Sequence, residues 1–272
     1  MIQKGAAPDY VHGYSARESE RLHDQATTLA ELLLSDTVFP PGARVLEAGC
    51  GTGAQTVTLA RQSPAAEIVA IDLAPGSLAQ AKRKIEANAL RNVTLQRADI
   101  FALPFAPASF DHVFVCFVLE HLREPAKALA LLREVLKPGG VITVIEGDHG
   151  STYFHPDSAA ARRAVECLVE LQVLAGGNGL IGRQLYPILV QAGFADVRVN
   201  PRMVYVDGSR PALIDGFTRK TFTAMVEGVR GDAIAAGLME ATAFDAGVRD
   251  LYRTAAPDGV FCYTFFKAWG LR

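Results

Sequence analysis

Apolar positions in the first half of the chain fall into short continuous runs separated by stretches of helical period. Residues 44–48, 67–72, 93–96, 111–116 and 141–146 read as strands. The stretches between them read as helices, ending near Gln62 and spanning about 75–89 and 125–136. Pro125 sits at a first helical turn, where a missing amide costs little. Strands that alternate with helices predict βαβ units and a parallel sheet with helices on both faces. Strands that are apolar throughout fit burial on both sides. Ser15 and Glu18 have the capping-box spacing, and Leu22, Ala26, Leu29 and Leu33 follow at helical period, predicting a first helix over 16–35.

The second half is less regular. Ala161, Val165, Leu168, Val169 and Gln172 predict a helix closed by Gly176-Gly177, and residues 183–192 a short one. Residues 197–206 read as a strand that Pro201 confines to an edge or a bulge. Two stripes of period 3.6 follow, from Ile214 to Val229 and from Ile234 to Leu251, before a last strand at 260–266. Helical insertions of this kind commonly cover an active site. The expected organisation is one domain, 1–272, with an N-terminal helical cap at 1–40 and helical lid insertions at 150–180 and 207–257.

Composition narrows the class. Half of the 272 residues are hydrophobic and 21% are charged, so the chain folds. The formal charge of -2 argues against a dedicated nucleic-acid binder, which needs a basic face. Cys50, Cys116, Cys167 and Cys262 form no C-x-x-C pair and read as free thiols of a reducing compartment. There is no secretory h-region, and the longest apolar run, 113–119, is far short of the about 20 residues a membrane helix needs. The expectation is a cytoplasmic protein, monomer or homodimer, without a membrane span.

The chemistry concentrates at Glu47-Ala48-Gly49-Cys50-Gly51-Thr52-Gly53, where a buried strand turns into a helix. Glycines there let a ligand approach main-chain amides at a helix start. Gly49-x-Gly51-x-x-Ala54 satisfies the dinucleotide fingerprint, and Asp72 lies about 20 residues on, where an acid meets ribose hydroxyls. Gly49-x-Gly51-x-Gly53 after Glu47 also resembles motif I of the class I S-adenosylmethionine-dependent methyltransferases. Ala98-Asp99-Ile100, the stretch from Ser109 to His121, and Leu136-Lys137-Pro138-Gly139-Gly140 resemble that family's later motifs in order and spacing. The resemblance covers about 45–146, with a looser match at 182–199. It is nearest to the ubiquinone and menaquinone C-methyltransferases and the small-molecule branch.

That resemblance implies a Rossmann-like, seven-stranded, mostly parallel α/β sheet with its last strand antiparallel. It implies S-adenosylmethionine as cofactor, S-adenosylhomocysteine as product and a small-molecule acceptor, not nucleic acid. Ala48, Gly49 and Gly51 would place backbone beside the methionine part, and Glu47 would order the loop or meet the amino group through water. Asp72 would hold ribose and Leu73 line adenine. Asp99 would meet the adenine amine with Ile100 packing on the ring, and Cys116 and Phe117 would contact the methionine moiety through backbone. Tyr14 and Gln25 are candidates for holding its carboxylate.

Methyl transfer is an in-line displacement in which a protein mainly positions the reactants and excludes water, with a general base only if the acceptor must lose a proton. Ligands of open α/β sheets bind at the carboxyl ends of strands. The candidates there are His149 as base with Asp148 orienting it or binding an amine, and His121 beside Glu120. A metal at Glu146, Asp148 and His149 finds no other support in the chain. Tyr153, Phe154, His155, Arg183 and Tyr186 are candidate acceptor-site walls, whereas Phe217 and Phe222 read as core. Two other readings remain: a nicotinamide-dependent oxidoreductase, for which no hydride-transfer residue set is visible, and a methyltransferase-like protein that binds cofactor or partner without catalysis.

Overall fold

The computed structural model describes residues 28–272. Tyr14 and Gln25 lie outside the described residues, as does the capping box. Residues 28–34 are helical (α1). The first half then alternates as the apolar pattern predicts: β1 (Arg44–Ala48), α2 (Ala54–Gln62), β2 (Glu67–Asp72), α3 (Pro75–Ala87), β3 (Val93–Arg97), β4 (Phe110–Cys116), α4 (Pro125–Val135) and β5 (Leu136–His155). The second half holds α5 (Ala159–Leu174), α6 (Leu185–Gln191), β6 (Ala195–Val206), α7 (Pro211–Leu213), a π-helical segment Ile214–Thr223, α8 (Ala224–Gly228), α9 (Arg230–Ala235), α10 (Ala241–Arg253) and β7 (Val260–Leu271).

These strands form one seven-stranded sheet in the order β3-β2-β1-β4-β5-β7-β6. β1 is parallel to β2 and β4, and β4 to β5, while β7 is antiparallel to both of its neighbours. The chain order reverses between β1 and β4, which opens a crevice at their carboxyl ends. Val45 and Leu46 are both fully buried because they face different cores. One core lies under α1, α2, α5 and the 211–253 helices, the other under α4 and α6. That double covering is why the strands read as unbroken apolar runs.

Three boundaries differ from expectation. β5 does not stop at Glu146: after an irregularity between Asp148 and Tyr153, Tyr153 to His155 pair with Cys262 to Val260. Residues 150–155 are therefore strand, and the helix of that region begins only at Ala159. β7 runs on to Leu271 because its alternating pattern lets it bridge β5 and β6 over its full length. β6 is the edge strand that Pro201 demands, with its register shift between Ala195 and Arg198 and none at the proline.

Lys267 joins the sheet to the segment after α1. Its side chain is wholly buried, and Nζ donates to Leu33 O at 3.0 Å, Asp36 Oδ1 at 2.5 Å and Thr37 Oγ1 at 2.6 Å. Burial pulls the ammonium's pKa down, opposed by the Asp36 carboxylate. Arg202 on β6 also pairs with Asp36. The first helix's end is thus fixed over β7. Further along the cap, a Cβ on Gly216 would meet the Thr28 side chain, so the π-helical segment packs against α1.

Candidate functional site

The turn leaving β1 is held from β2. The amides of Gly49 and Cys50 both donate to Ile71 O, at 2.8 and 2.9 Å. One residue on, Asp72 accepts from the Gly51 amide on Oδ2 and from the Ala74 amide on Oδ1, each at 2.8 Å. The carboxylate therefore braces the glycine turn and the start of α3 together. Gly49 has φ +78°, and a Cβ there would lie 2.4 Å from Val118 Cγ2, so only glycine fits. In front of Gly51 nothing lies within 4 Å of where a Cβ would stand.

Behind the turn sits Glu47, 3% exposed. Its Oε2 has no hydrogen-bond partner among the described residues. Burial, with Asp72's charge adding to it, pushes its carboxyl up to about 8. A buried carboxylate with an idle oxygen beside a glycine turn can answer a cationic ligand group.

Beyond β2, on the same side of the crevice, Asp99 Oδ1 accepts from the Phe101 amide at 2.8 Å, which fixes the turn after β3. Ile100 packs at the margin of one core, while Leu73 is 45% exposed. At the end of β4, Cys116 is half-buried, and its thiol is pushed up by burial and by Glu146 and Glu47. Phe117 adopts φ +58°, uncommon for a large side chain, while its amide donates to Ile145 O at 2.9 Å. Such strained backbone clusters at functional sites. The ring lies 5.5 Å from that of Phe265.

Glu146, wholly buried, closes the same end of the sheet. Its Oε1 accepts from the amides of Val118 and Leu119 at 2.9 and 2.7 Å, capping a 3-10 turn over Leu119–His121. Burial first, then Glu120's charge, pushes its carboxyl well above the usual range.

The structure separates two residues the sequence places together. Asp148 turns to Arg183, which donates to it from Nε at 2.6 Å and Nη2 at 2.8 Å, and also accepts from the Gly150 amide. It does not orient His149. That ring meets Tyr263 instead, with Nδ1 2.9 Å from the phenol oxygen, and Nε2 stands 3.6 Å from Glu120 Oε2. The other oxygen of Glu120 is 3.6 Å from His121 Nε2, so one carboxylate lies between two histidines. Tyr263, Gln172 and Glu120's link to His149 escaped sequence reasoning. The strand register that sets Tyr263 beside His149 spans 114 positions and leaves no local signal.

Among the wall candidates, Tyr153 and Tyr186 are 72% and 57% exposed. Phe217 and Phe222 are buried against Phe261 and Tyr263 of β7. Phe154 stacks on Phe261. Arg183→Ala should destabilise the protein by about 2 kcal/mol, because Asp148 stays buried with only an amide partner. The figure sits below that for a wholly buried pair since the guanidinium is half exposed. Urea midpoints of the variant and of the Asp148→Asn, Arg183→Ala double variant check it: the double variant should recover part of the loss.

Residues 45–140 match the family described as methyltransferase domain, which spans the strands and turns just described. A demethylmenaquinone methyltransferase of Thermus thermophilus is 42% identical over 103 residues, 38% of this chain and 46% of that protein. These likenesses support a class I S-adenosylmethionine-dependent methyltransferase family. An uncharacterized 37.1 kDa protein of a Streptomyces fradiae transposon is 33% identical over 230 residues, 84% of this chain and 64% of its own length. The chain thus spans under two thirds of these curated relatives. Among solved structures, a Haemonchus contortus phosphoethanolamine N-methyltransferase, bound to phosphomonomethylethanolamine and S-adenosylhomocysteine, shares the fold over 92% of this chain and 52% of its own. Its TM-score is 0.56 at 18% identity. The methyltransferase sheet with its antiparallel β7 is the one observed here.

Proposed function

We propose that this protein binds S-adenosylmethionine across the β1–β4 crevice and transfers its methyl group to a small-molecule acceptor. The observation that carries this reading is the pairing of Asp72 with the Gly51 amide beside open space, backed by the idle oxygen of buried Glu47. These residues fit the cofactor. Gly51 leaves room for its methionine part beside the Gly49 turn, Asp72 retains lone pairs for ribose hydroxyls, and Glu47 would answer the cationic end. Asp99 and Ile100 would receive the adenine, with Leu73 along its edge. The backbone at Cys116 and Phe117 would border the methionine moiety. When bound, the cofactor supplies an electrophilic methyl group. The protein's own part is to order the loop, hold the acceptor in line and exclude water.

In this reading α1 and the helices at 207–257 form the lid, since both pack over β7. Among the described residues no helix is long and apolar enough to cross a membrane. Calorimetric titration with S-adenosylmethionine, S-adenosylhomocysteine and, as control, NADH tests the proposal. Binding of the two sulfur ligands alone is expected. Binding of NADH alone, or of none in ligand-free protein, overturns it. Binding without methylation of any acceptor would favour the non-catalytic reading.

A further inference from the structure

Three side chains from three elements meet where the β5 register is interrupted after Asp148. His149 lies on β5, Glu120 in the 3-10 turn after β4, and Tyr263 on β7. The phenol oxygen is 2.9 Å from Nδ1, and Glu120 Oε2 is 3.6 Å from Nε2. Tyr263 and His149 are 2% and 4% exposed, and Nε2 has no hydrogen-bond partner among the described residues. The array is held from outside. Gln172 Nε2 donates to Glu120 Oε2 at 3.0 Å, and the His149 amide donates to Gly179 O at 2.9 Å. A Cβ at Gly179 would lie 2.8 Å from the imidazole Cδ2, so that position keeps the ring in place.

Hydroxyl, imidazole and carboxylate in this order have a defined chemistry. The carboxylate favours a proton on the far nitrogen, which leaves the near nitrogen free to take the hydroxyl's proton. Asp148 takes no part, being committed to Arg183. Burial first, then the facing carboxyl groups of Glu120, Asp148 and Glu146, raise the Tyr263 phenol well above its usual value. A standing phenolate is therefore excluded. Tyr263 can take a proton only as it gives its own to His149. The surroundings are aromatic: the rings of Phe265, Phe222 and Phe217 lie 4.7, 5.4 and 5.7 Å from Tyr263.

We propose, resting on the methyl-transfer reading, that Tyr263, His149 and Glu120 form a proton relay and that the acceptor is a hydroxyl group on an apolar small molecule. The acceptor oxygen forms the new bond to the methyl carbon, and the electron pair of the broken carbon–sulfur bond stays on sulfur. The acceptor's O–H proton passes to Tyr263 Oη as the phenol proton passes to His149 Nδ1. Glu120 balances the imidazolium, which later returns its proton to water.

Two readouts on Tyr263→Phe test this. The first is single-turnover transfer of labelled methyl to a panel of simple phenols, with simple amines beside it. The second is the nitrogen resonances of the His149 imidazole, assigned with His149→Gln, in protein saturated with S-adenosylhomocysteine. Phenols should be methylated, and Tyr263→Phe should slow this roughly 100-fold, the usual size of a proton-transfer contribution, with S-adenosylhomocysteine affinity unchanged. The Nδ1 resonance should move in Tyr263→Phe. Methylation of amines alone, a wild-type rate in Tyr263→Phe, or an unmoved Nδ1 resonance overturns the relay. If no panel member is methylated, the resonances decide. Failure of S-adenosylhomocysteine to bind wild type strikes the methyl-transfer reading instead, and the resonances of the free protein still report on the relay.

Discussion

Asp72→Ala should weaken S-adenosylhomocysteine binding about 100-fold or more. Hydrogen bonds to a charged acceptor contribute about 1.5–3 kcal/mol each. A ribose that loses two of them loses at least about 3 kcal/mol, and each 1.4 kcal/mol is tenfold in affinity. The substitution also frees the Gly51 and Ala74 amides, which the carboxylate holds at 2.8 Å. A loosened turn would add to the loss. Asp72→Asn separates the two effects, because its amide oxygen still accepts one of those bonds and the net charge effect disappears. Calorimetric affinities and urea midpoints of both variants check the point. An unchanged affinity with a lowered midpoint would make Asp72 a brace of the loop and nothing more.

The frame of this site was legible because its constraints are local. Glycine at 49 follows from the left-handed backbone turn that leaves β1, and Asp72 from the end of an apolar strand beside that turn. The sheet was legible for a similar reason: β1, β2 and β4 carry runs buried on both faces, although β3 at the sheet edge is only partly buried. The acceptor side was not. His149 and Asp148 are adjacent in sequence, yet one meets β7 and the other Arg183, 35 residues away. The irregularity between Asp148 and Tyr153 interrupts the strand's simple alternation, so position along β5 did not reveal either partner. Tyr263 stands in a strand whose aromatic residues serve the core as well as the site. Phe261 and Phe265 flank it on the same face, and nothing in the sequence marks the one bearing a hydroxyl beside an imidazole. Glu120 was read through its family motif, and only the fold brings it within 3.6 Å of two histidines.

The second large effect concerns protons. Glu47's carboxyl is raised from about 4.5 to about 8 in the folded, ligand-free protein. A raised folded value means the native state holds a proton that the unfolded chain gives up. This contribution to stability is complete below about pH 4.5, shrinks as pH rises, and is gone above about pH 8. Each unit of difference corresponds to about 1.4 kcal/mol, so a few kcal/mol ride on this one group. Glu47→Gln keeps the protonated shape at every pH. Urea midpoints between pH 5 and 9 should therefore fall less steeply in the variant, and the variant should be the more stable protein at pH 9. Ligand binding draws on the same proton. A cationic group placed beside Glu47 favours the ionised carboxylate, so S-adenosylhomocysteine binding at pH 7 should release a proton from wild type. Binding heats in two buffers of different ionisation enthalpy would show it as a buffer-dependent difference that Glu47→Gln removes. Equal heats in wild type would mean that Glu47 keeps its proton in the complex. It would then serve the loop as a neutral hydrogen-bonding group, and recognition of the cationic end would fall to other residues.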